Sequence, residues 1–336
     1  MAANKCFVAR AGSNAPAVAV CWAARYPLRL PRLTDFVWHR LERVPAGRES
    51  LRGVRVLRLD CMGGAAPGNK WFKLGPCITE ARSLGFQRLL SFGGAWSNHL
   101  HALARIGQQE GFTTIGVVRG EPGAPLTAAL ADAVAAGMTL VHLSRSDYRR
   151  RHQAAFQRQL LATHGPAYLI PEGGDCLEGV SGCLAIGREL ARAMPAGGTI
   201  ILPVGTGTTL AGITAALGQT HRVVGVSALK GALDTEQRVQ RHLDELAAND
   251  GAQWEIRHDF HCGGFARTSA GLRDFTLAME HFGLPLEPVY TAKALYALHR
   301  MLDQKEIDAA AAVVFVHTGG LQGRRGFSWL SNQPAQ

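Results

Sequence analysis

Short apolar runs punctuate the chain, and several stop abruptly at glycine. Arg88-Leu89-Leu90-Ser91-Phe92 leads into Gly93-Gly94, and Ala167-Tyr168-Leu169-Ile170-Pro171 into Glu172-Gly173-Gly174. Thr199-Ile200-Ile201-Leu202-Pro203 leads into Val204-Gly205-Thr206-Gly207, and Ala312-Val313-Val314-Phe315-Val316 into His317-Thr318-Gly319-Gly320. Such runs do not alternate with polar residues, so they predict strands buried on both faces. Further strands are expected over 113–118, 139–143 and 223–226. Between them the pattern predicts helices over 97–110, 124–136, 148–164, 181–193, 208–217, 234–249, 268–282 and 291–303. Strands alternating with helices predict an α/β fold with mostly parallel sheets covered by helices. Ligands bind such sheets beyond the carboxyl ends of the strands, where the glycine-rich loops fall.

The length of 336 residues predicts two domains. Hydrophobic residues make up 47% and charged residues 18%, enough for a sizeable core, which excludes disorder as the main state. No apolar run reaches the roughly 18–20 residues of a membrane-spanning helix, so no membrane partner is expected. The seven cysteines are scattered and form no Cys-x-x-Cys pair. That argues against a disulfide framework or a zinc ribbon and for a reducing, cytoplasmic compartment. The apolar stretch over 15–24 is short for a secretory signal, so residues 1–28 read as a disordered leader or as the product of an upstream translation start. Order is expected to begin near Pro31, and the tail from Ser331 to fray.

The formal net charge is +10, carried by thirty arginines and only six lysines. Arg149-Arg150-Arg151 reads as a solvated helix face. No aromatic and basic interleaving of the RNA-binding kind appears, so no nucleic-acid partner is expected. An active site for an anionic ligand would use part of the charge.

Three segments carry chemistry. Gly205-Thr206-Gly207-Thr208-Thr209 follows a strand and opens a helix, where unpaired N–H groups, the helix dipole and threonine hydroxyls form a phosphate cradle. It lacks the third glycine of a dinucleotide fingerprint and the Lys-Ser/Thr end of a P-loop. Gly68-Asn69-Lys70-Trp71-Phe72-Lys73 places two lysines among apolar residues. Desolvation lowers a lysine's pKa, and a neutral amine can attack a carbonyl. The alternative is a pair of snorkelling surface lysines. Gly93-Gly94-Ala95-Trp96-Ser97-Asn98-His99 sets Ser97 and Asn98 where a helix begins, either as simple caps or turned toward a ligand. His99 and His101 are two apart and share no helix face, so no metal site is expected.

Together, Gly-Asn-Lys-x-x-Lys-Leu, Gly-Gly-x-x-Ser-Asn-His, Ile-Pro-Glu-Gly-Gly, Gly-Thr-Gly-x-Thr, Pro-Val-Tyr-Thr-x-Lys and His-Thr-Gly-Gly occur in an order that resembles one family. It is that of the pyridoxal-phosphate enzymes 1-aminocyclopropane-1-carboxylate deaminase and D-cysteine desulfhydrase. The resemblance covers roughly Pro31 to Gly323. It implies a two-domain, tryptophan-synthase-β-like fold. The larger, cofactor-binding domain is expected over 29–76 and 180–330, and the smaller α/β domain over 77–179. It also implies a homodimer acting on a small amino acid.

By the resemblance, Lys70 is the lysine that carries pyridoxal 5'-phosphate. Lys73 and Gly205, Thr206, Gly207, Thr208 and Thr209 hold its phosphate. Asn98 lies beside the ring hydroxyl, and Thr291 faces the pyridine nitrogen. Ser97 and Tyr290 join Lys70 in catalysis, and Ser97, Asn98 and His99 meet the substrate carboxylate. Deaminases carry glutamate where this chain has Thr291, and a hydroxyl holds a pyridinium proton less firmly. A weaker electron sink suits β-elimination better than cyclopropane ring opening. Two further departures are Pro67, where glycine is common, and Trp96, where deaminases have glutamine. The expected activity is β-elimination from a small D-amino acid, as in D-cysteine desulfhydrase. The alternatives are the deaminase reaction and a non-catalytic protein binding a phosphate ligand or nucleic acid.

Overall fold

The computed structural model describes residues 35–331 except 124 and 309. The leader over 1–28, the start of order near Pro31 and the tail beyond 331 lie outside the described residues. In chain order the elements are β1 (Trp38–Arg40), β2 (Arg55–Arg58), α1 (Asn69–Ser83), β3 (Arg88–Gly94), α2 (Asn98–Glu110), β4 (Thr113–Arg119), α3 (Ala128–Ala135) and β5 (Met138–Leu143). Then come α4 (Arg145–Arg149), α5 (Ala154–His164), β6 (Tyr168–Ile170), α6 (Leu177–Ala193), β7 (Gly198–Val204), α7 (Thr208–Ala215), β8 (His221–Ser227) and α8 (Thr235–Glu245). The chain continues through β9 (Gln253–Arg257), α9 (Ala270–His281), α10 (Thr291–Asp303), β10 (Val313–His317) and α11 (Ser328–Ser331).

The strands form two sheets. One has the order β1-β2-β10-β7-β8-β9 and the other β5-β4-β3-β6. Every pairing is parallel except β1 with β2. Both faces of each sheet are covered, which explains the unbroken apolar runs. In β7, Ile200, Leu202 and Val204 face a core with Val180, Cys183 and Ile186 of α6, while Ile201 faces Phe275, Leu295 and Leu298 on the other side. In the smaller sheet, Leu89 packs with Leu100 and Leu103, and Leu90 and Phe92 pack with Tyr148 and Phe156. Among the described residues, no helix is long and apolar enough to cross a membrane.

Two segments depart from the sequence pattern. The helix expected over 148–164 is broken into α4, a 3₁₀ turn and α5. The Arg151 guanidinium donates to the carbonyl of Tyr148 at 3.1 Å, and Gln157 Nε2 to the carbonyl of Arg151 at 2.8 Å. Side chains thus take carbonyls that a continuous helix would use, and Gln153 adopts an extended conformation. Helix α1, by contrast, runs through Pro76. Pro76 has no N–H for the carbonyl of Phe72, four residues earlier. Gly182 of α6 packs directly on that carbonyl; a Cβ there would lie 1.9 Å from it.

Candidate active site

The loops after β3, β7 and β10 and the start of α1 surround a cavity of about 980 Å³. Gly68 pairs with Gly319 beyond β10, and Asn69 N donates to Thr318 O at 3.0 Å. Gly68 has φ +117°, and a Cβ on it would lie 2.6 Å from Thr318 O. Only glycine allows this approach, which fixes the start of α1 against β10. Lys70 Nζ donates to Asn69 Oδ1 at 3.0 Å, and Asn69 Nδ2 donates to Thr209 Oγ1 at 2.9 Å. Lys70 lines the cavity. Burial, and then the charge of Lys73, push its pKa down to about 7. The Lys70 amine is thus held at the cavity wall by Asn69.

Lys73 is buried, and its Nζ donates to Gly173 O at 3.2 Å and to Thr206 Oγ1 at 3.4 Å. Burial lowers its pKa too. Gly207 caps α7 at φ +90° with no side-chain cap, leaving the first-turn N–H groups to an external acceptor. Gly205, Thr206, Gly207 and Thr209 line the cavity. Thr208 stands behind this wall: it is fully buried, and its hydroxyl lies 2.8 Å from Thr206 Oγ1 and donates to Asp175 Oδ1 at 3.2 Å. His242 Nε2 lies 2.7 Å from the same carboxylate oxygen.

Ser97 caps α2, accepting from Leu100 N at 3.2 Å, so its hydroxyl hydrogen stays available. Asn98 Oδ1 accepts from Gln322 Nε2 at 2.9 Å, and its amide lies against Gly320. His99 is buried, with Nε2 2.8 Å from Ser91 Oγ. Ser91 gives its hydrogen to Ile170 O at 2.7 Å, so His99 Nε2 carries the proton in their shared bond. Burial, then Lys70 and Lys73, hold the His99 pKa well below its ordinary value. The neutral ring therefore presents Nδ1, which has no partner, as an acceptor. An acceptor suits a donor group and not the carboxylate expected there. Trp96 also lines the cavity, its indole packed on Gly326.

Tyr290 lines the cavity, edge-on to Phe265 with centroids 6.3 Å apart. A Cβ on Gly205 would lie 3.3 Å from its ring. Burial, then Glu287, push the phenol's pKa up, so it holds its proton and can donate it. Thr291, expected at the pyridine nitrogen, is fully buried and does not line the cavity. Its hydroxyl accepts from Glu287 N at 2.7 Å and donates to Glu287 O at 3.2 Å. The Glu287 carboxylate accepts from the N–H groups of Val289 and Tyr290 at 2.7 and 2.9 Å. Burial pushes its pKa up to about 7. Sequence reasoning passed over Asn69, Glu287, Thr318 and Gln322. The signal for Glu287 was an acidic residue four positions before a helix that lacks a side-chain cap.

The arginine cluster is not one solvated face. Arg150 pairs with Asp147 in solvent, whereas Arg151 Nε donates to Glu172 Oε2 at 2.7 Å, and Arg145, Arg149 and Arg151 all line the cavity. No group of three or more His, Cys, Asp or Glu side chains among the described residues could hold a metal ion.

Residues 41–319 match the family described as pyridoxal-phosphate dependent enzyme. A putative 1-aminocyclopropane-1-carboxylate deaminase of Pyrococcus abyssi is 28% identical over 312 residues, covering 88% of this chain and 93% of that protein. A D-cysteine desulfhydrase of Salmonella choleraesuis is 26% identical over 309 residues, covering 87% and 90%. A solved structure described as an ACC deaminase homologue superposes with a TM-score of 0.73 at 25% identity, covering 85% of this chain and 90% of that one. A serine racemase from Dictyostelium discoideum shares the fold, with a TM-score of 0.58 at 18% identity and coverage of 86% and 92%. The α/β fold is thus that of the tryptophan-synthase-β-like enzymes. The non-catalytic alternative is set aside, and the chain belongs to the pyridoxal-phosphate dependent enzyme family.

Proposed function

We propose that the protein catalyses β-elimination and deamination of a small D-amino acid, with D-cysteine giving pyruvate, ammonia and sulfide. The observation that carries this reading is the Lys70 amine, lowered to about pKa 7, in a cavity walled by the Gly205–Thr209 loop. These residues fit pyridoxal phosphate: a neutral amine for its aldehyde, and Lys73, Thr206 and uncapped N–H groups for its phosphate. When bound, the cofactor supplies an electron sink for the charge left at the substrate's α-carbon.

Lys70 takes the α-proton, a role its pKa suits near neutrality. Tyr290, which keeps its proton, donates to the leaving thiolate as the Cβ–S bond breaks with its electron pair. Ser97 has a hydrogen free for the substrate carboxylate. Gln322 donates to Asn98 Oδ1, and Asn98 would serve the cofactor's ring hydroxyl when the cofactor is bound. Water then releases pyruvate and ammonia.

The deaminase reaction is the second reading, favoured by the Pyrococcus abyssi relative. Against it, Trp96 fills part of the cavity wall. Sulfide and pyruvate from D-cysteine support the first reading, and 2-oxobutyrate from the cyclopropane substrate would replace it. The reading extends to a homodimer in the cytoplasm.

A further inference from the structure

The cavity carries more positive charge than one cofactor and one amino acid require. Besides Lys70 and Lys73, five arginines line it: Arg119, Arg145, Arg149, Arg151 and Arg238. Among the described residues, two carboxylates, Glu172 and Asp234, share the wall. Both are engaged. Glu172 accepts from Arg151 and from the Tyr148 hydroxyl at 3.0 Å, and Asp234 lies 3.5 Å from Arg238. The cofactor phosphate is matched by Lys73 and the helix N-terminus. Arg119, Arg145 and Arg149 remain, with no ion pair among the described residues. Glu121 lines an adjoining hollow with Arg145 and Arg149 but pairs with neither.

Arg119 is held by its neighbours, and Arg145 and Arg149 are placed by the helix that carries them. Arg119 ends β4, in register with Gly94 of β3 and Leu143 of β5. Its guanidinium lies over Gly94, 3.6 Å from where a Cβ would be, on the loop that leads to Ser97. It also lies over the Tyr148 ring, 6.0 Å from the centroid. Arg145 and Arg149 are one turn apart on α4, which begins just after β5, so they share a face. Planar guanidinium groups bind phosphate and sulfonate oxygens in pairs.

Resting on the elimination reading above, we propose that the preferred substrate carries a second acidic group at its β-position, a phosphate or a sulfonate, and that Arg119, Arg145 and Arg149 bind it. The chemistry balances without an oxidant or reductant. The α-C–H bond breaks and its proton goes to Lys70. The Cβ–O or Cβ–S bond breaks, and its electron pair leaves with phosphate or sulfite. Water converts the remaining enamine to pyruvate and ammonia.

The test compares O-phospho-D-serine and D-cysteate with β-chloro-D-alanine and D-cysteine on the cofactor-loaded enzyme. Selectivity is kcat/KM for the better anionic substrate over that for the better neutral one. It is expected to exceed about tenfold, and to fall by about tenfold or more in Arg145→Ala/Arg149→Ala, a change at exposed positions. Calorimetric binding of O-phospho-D-serine is expected to weaken in parallel. Release of phosphate or of sulfite identifies which acid is preferred. Turnover of the neutral substrates with selectivity near one, unchanged in the variant, overturns the arginine assignment and leaves the elimination reading standing. Failure of all four substrates in cofactor-loaded enzyme overturns both.

Discussion

Asn69 joins Lys70 to Thr209: its side-chain oxygen accepts from the Lys70 amine at 3.0 Å, and its amide donates to Thr209 Oγ1 at 2.9 Å. One buried amide thereby sets the distance between the candidate nucleophile and the candidate phosphate loop. Asn69→Ala removes both bonds and leaves Lys70 unoriented. We expect kcat on D-cysteine to fall about ten- to hundredfold, since small misplacements of a reacting group cost that much. The protein should still bind pyridoxal phosphate. Steady-state kinetics check this, and an unchanged kcat would remove Asn69 from the site.

The Lys70 amine is neutral above about pH 7 and protonated below it. Attachment of pyridoxal phosphate to cofactor-free protein should therefore accelerate as pH rises through about 7 and then level off. The charge of Lys73 helps to lower the Lys70 pKa, so Lys73→Met should shift this midpoint upward. Stopped-flow absorbance against pH measures it. A midpoint near 10 in the unaltered protein would contradict the account.

Glu287 gives a stability signature. Its pKa in the folded protein is raised from the ordinary 4.5 to about 7, so folding takes up a proton between those pH values. Its contribution is present in full below pH 4.5 and is lost as pH rises through about 7. Glu287→Gln should flatten the corresponding decline in Tm of cofactor-free protein. Lys70, lowered from 10.5 to about 7, acts in the opposite sense, and its stability contribution grows as pH rises across that range. Parallel Tm–pH curves for wild type and Glu287→Gln between pH 4.5 and 7 would remove Glu287 from this role.

Gly68→Ala should be costly because position 68 combines φ +117° with a backbone oxygen 2.6 Å from the new Cβ. Strain of this kind costs of order 1–3 kcal/mol. The register between α1 and β10 would shift with it. We expect a lower Tm and weaker cofactor binding, measured by differential scanning calorimetry and cofactor titration. Gly85→Ala, at φ +78° but with nothing within 4 Å, serves as the comparison for backbone strain alone.

The strands were legible because both faces of each sheet are buried, so β7 and β10 read as continuous apolar runs. The cavity-lining residues Lys70, Lys73, Ser97 and Asn98 stood out beside glycines in the sequence, whereas Tyr290 came only from the family resemblance. Helix α1 was not, because Gly75 and Pro76 at its centre are breaking signals, and the residue that packs on the carbonyl Pro76 leaves free, Gly182, is more than a hundred residues away. The break at Arg151 depends likewise on side-chain donors to two carbonyls. Thr291 was placed at the pyridine nitrogen by the resemblance alone, and its hydroxyl is turned to the Glu287 backbone in the first turn of α10. Periodicity reports which face of an element is buried, not which way a single hydroxyl turns.

The central claim is that Lys70 carries pyridoxal phosphate at a site open to a D-amino acid. Its most direct test is the visible absorption spectrum of the protein with added pyridoxal phosphate, before and after D-cysteine, alongside Lys70→Ala. The account predicts a cofactor band that shifts with D-cysteine as sulfide appears. In Lys70→Ala that band should be absent, and turnover should fall by at least about a hundredfold. No band in the unaltered protein, or an unchanged band and near wild-type turnover in Lys70→Ala, would contradict it.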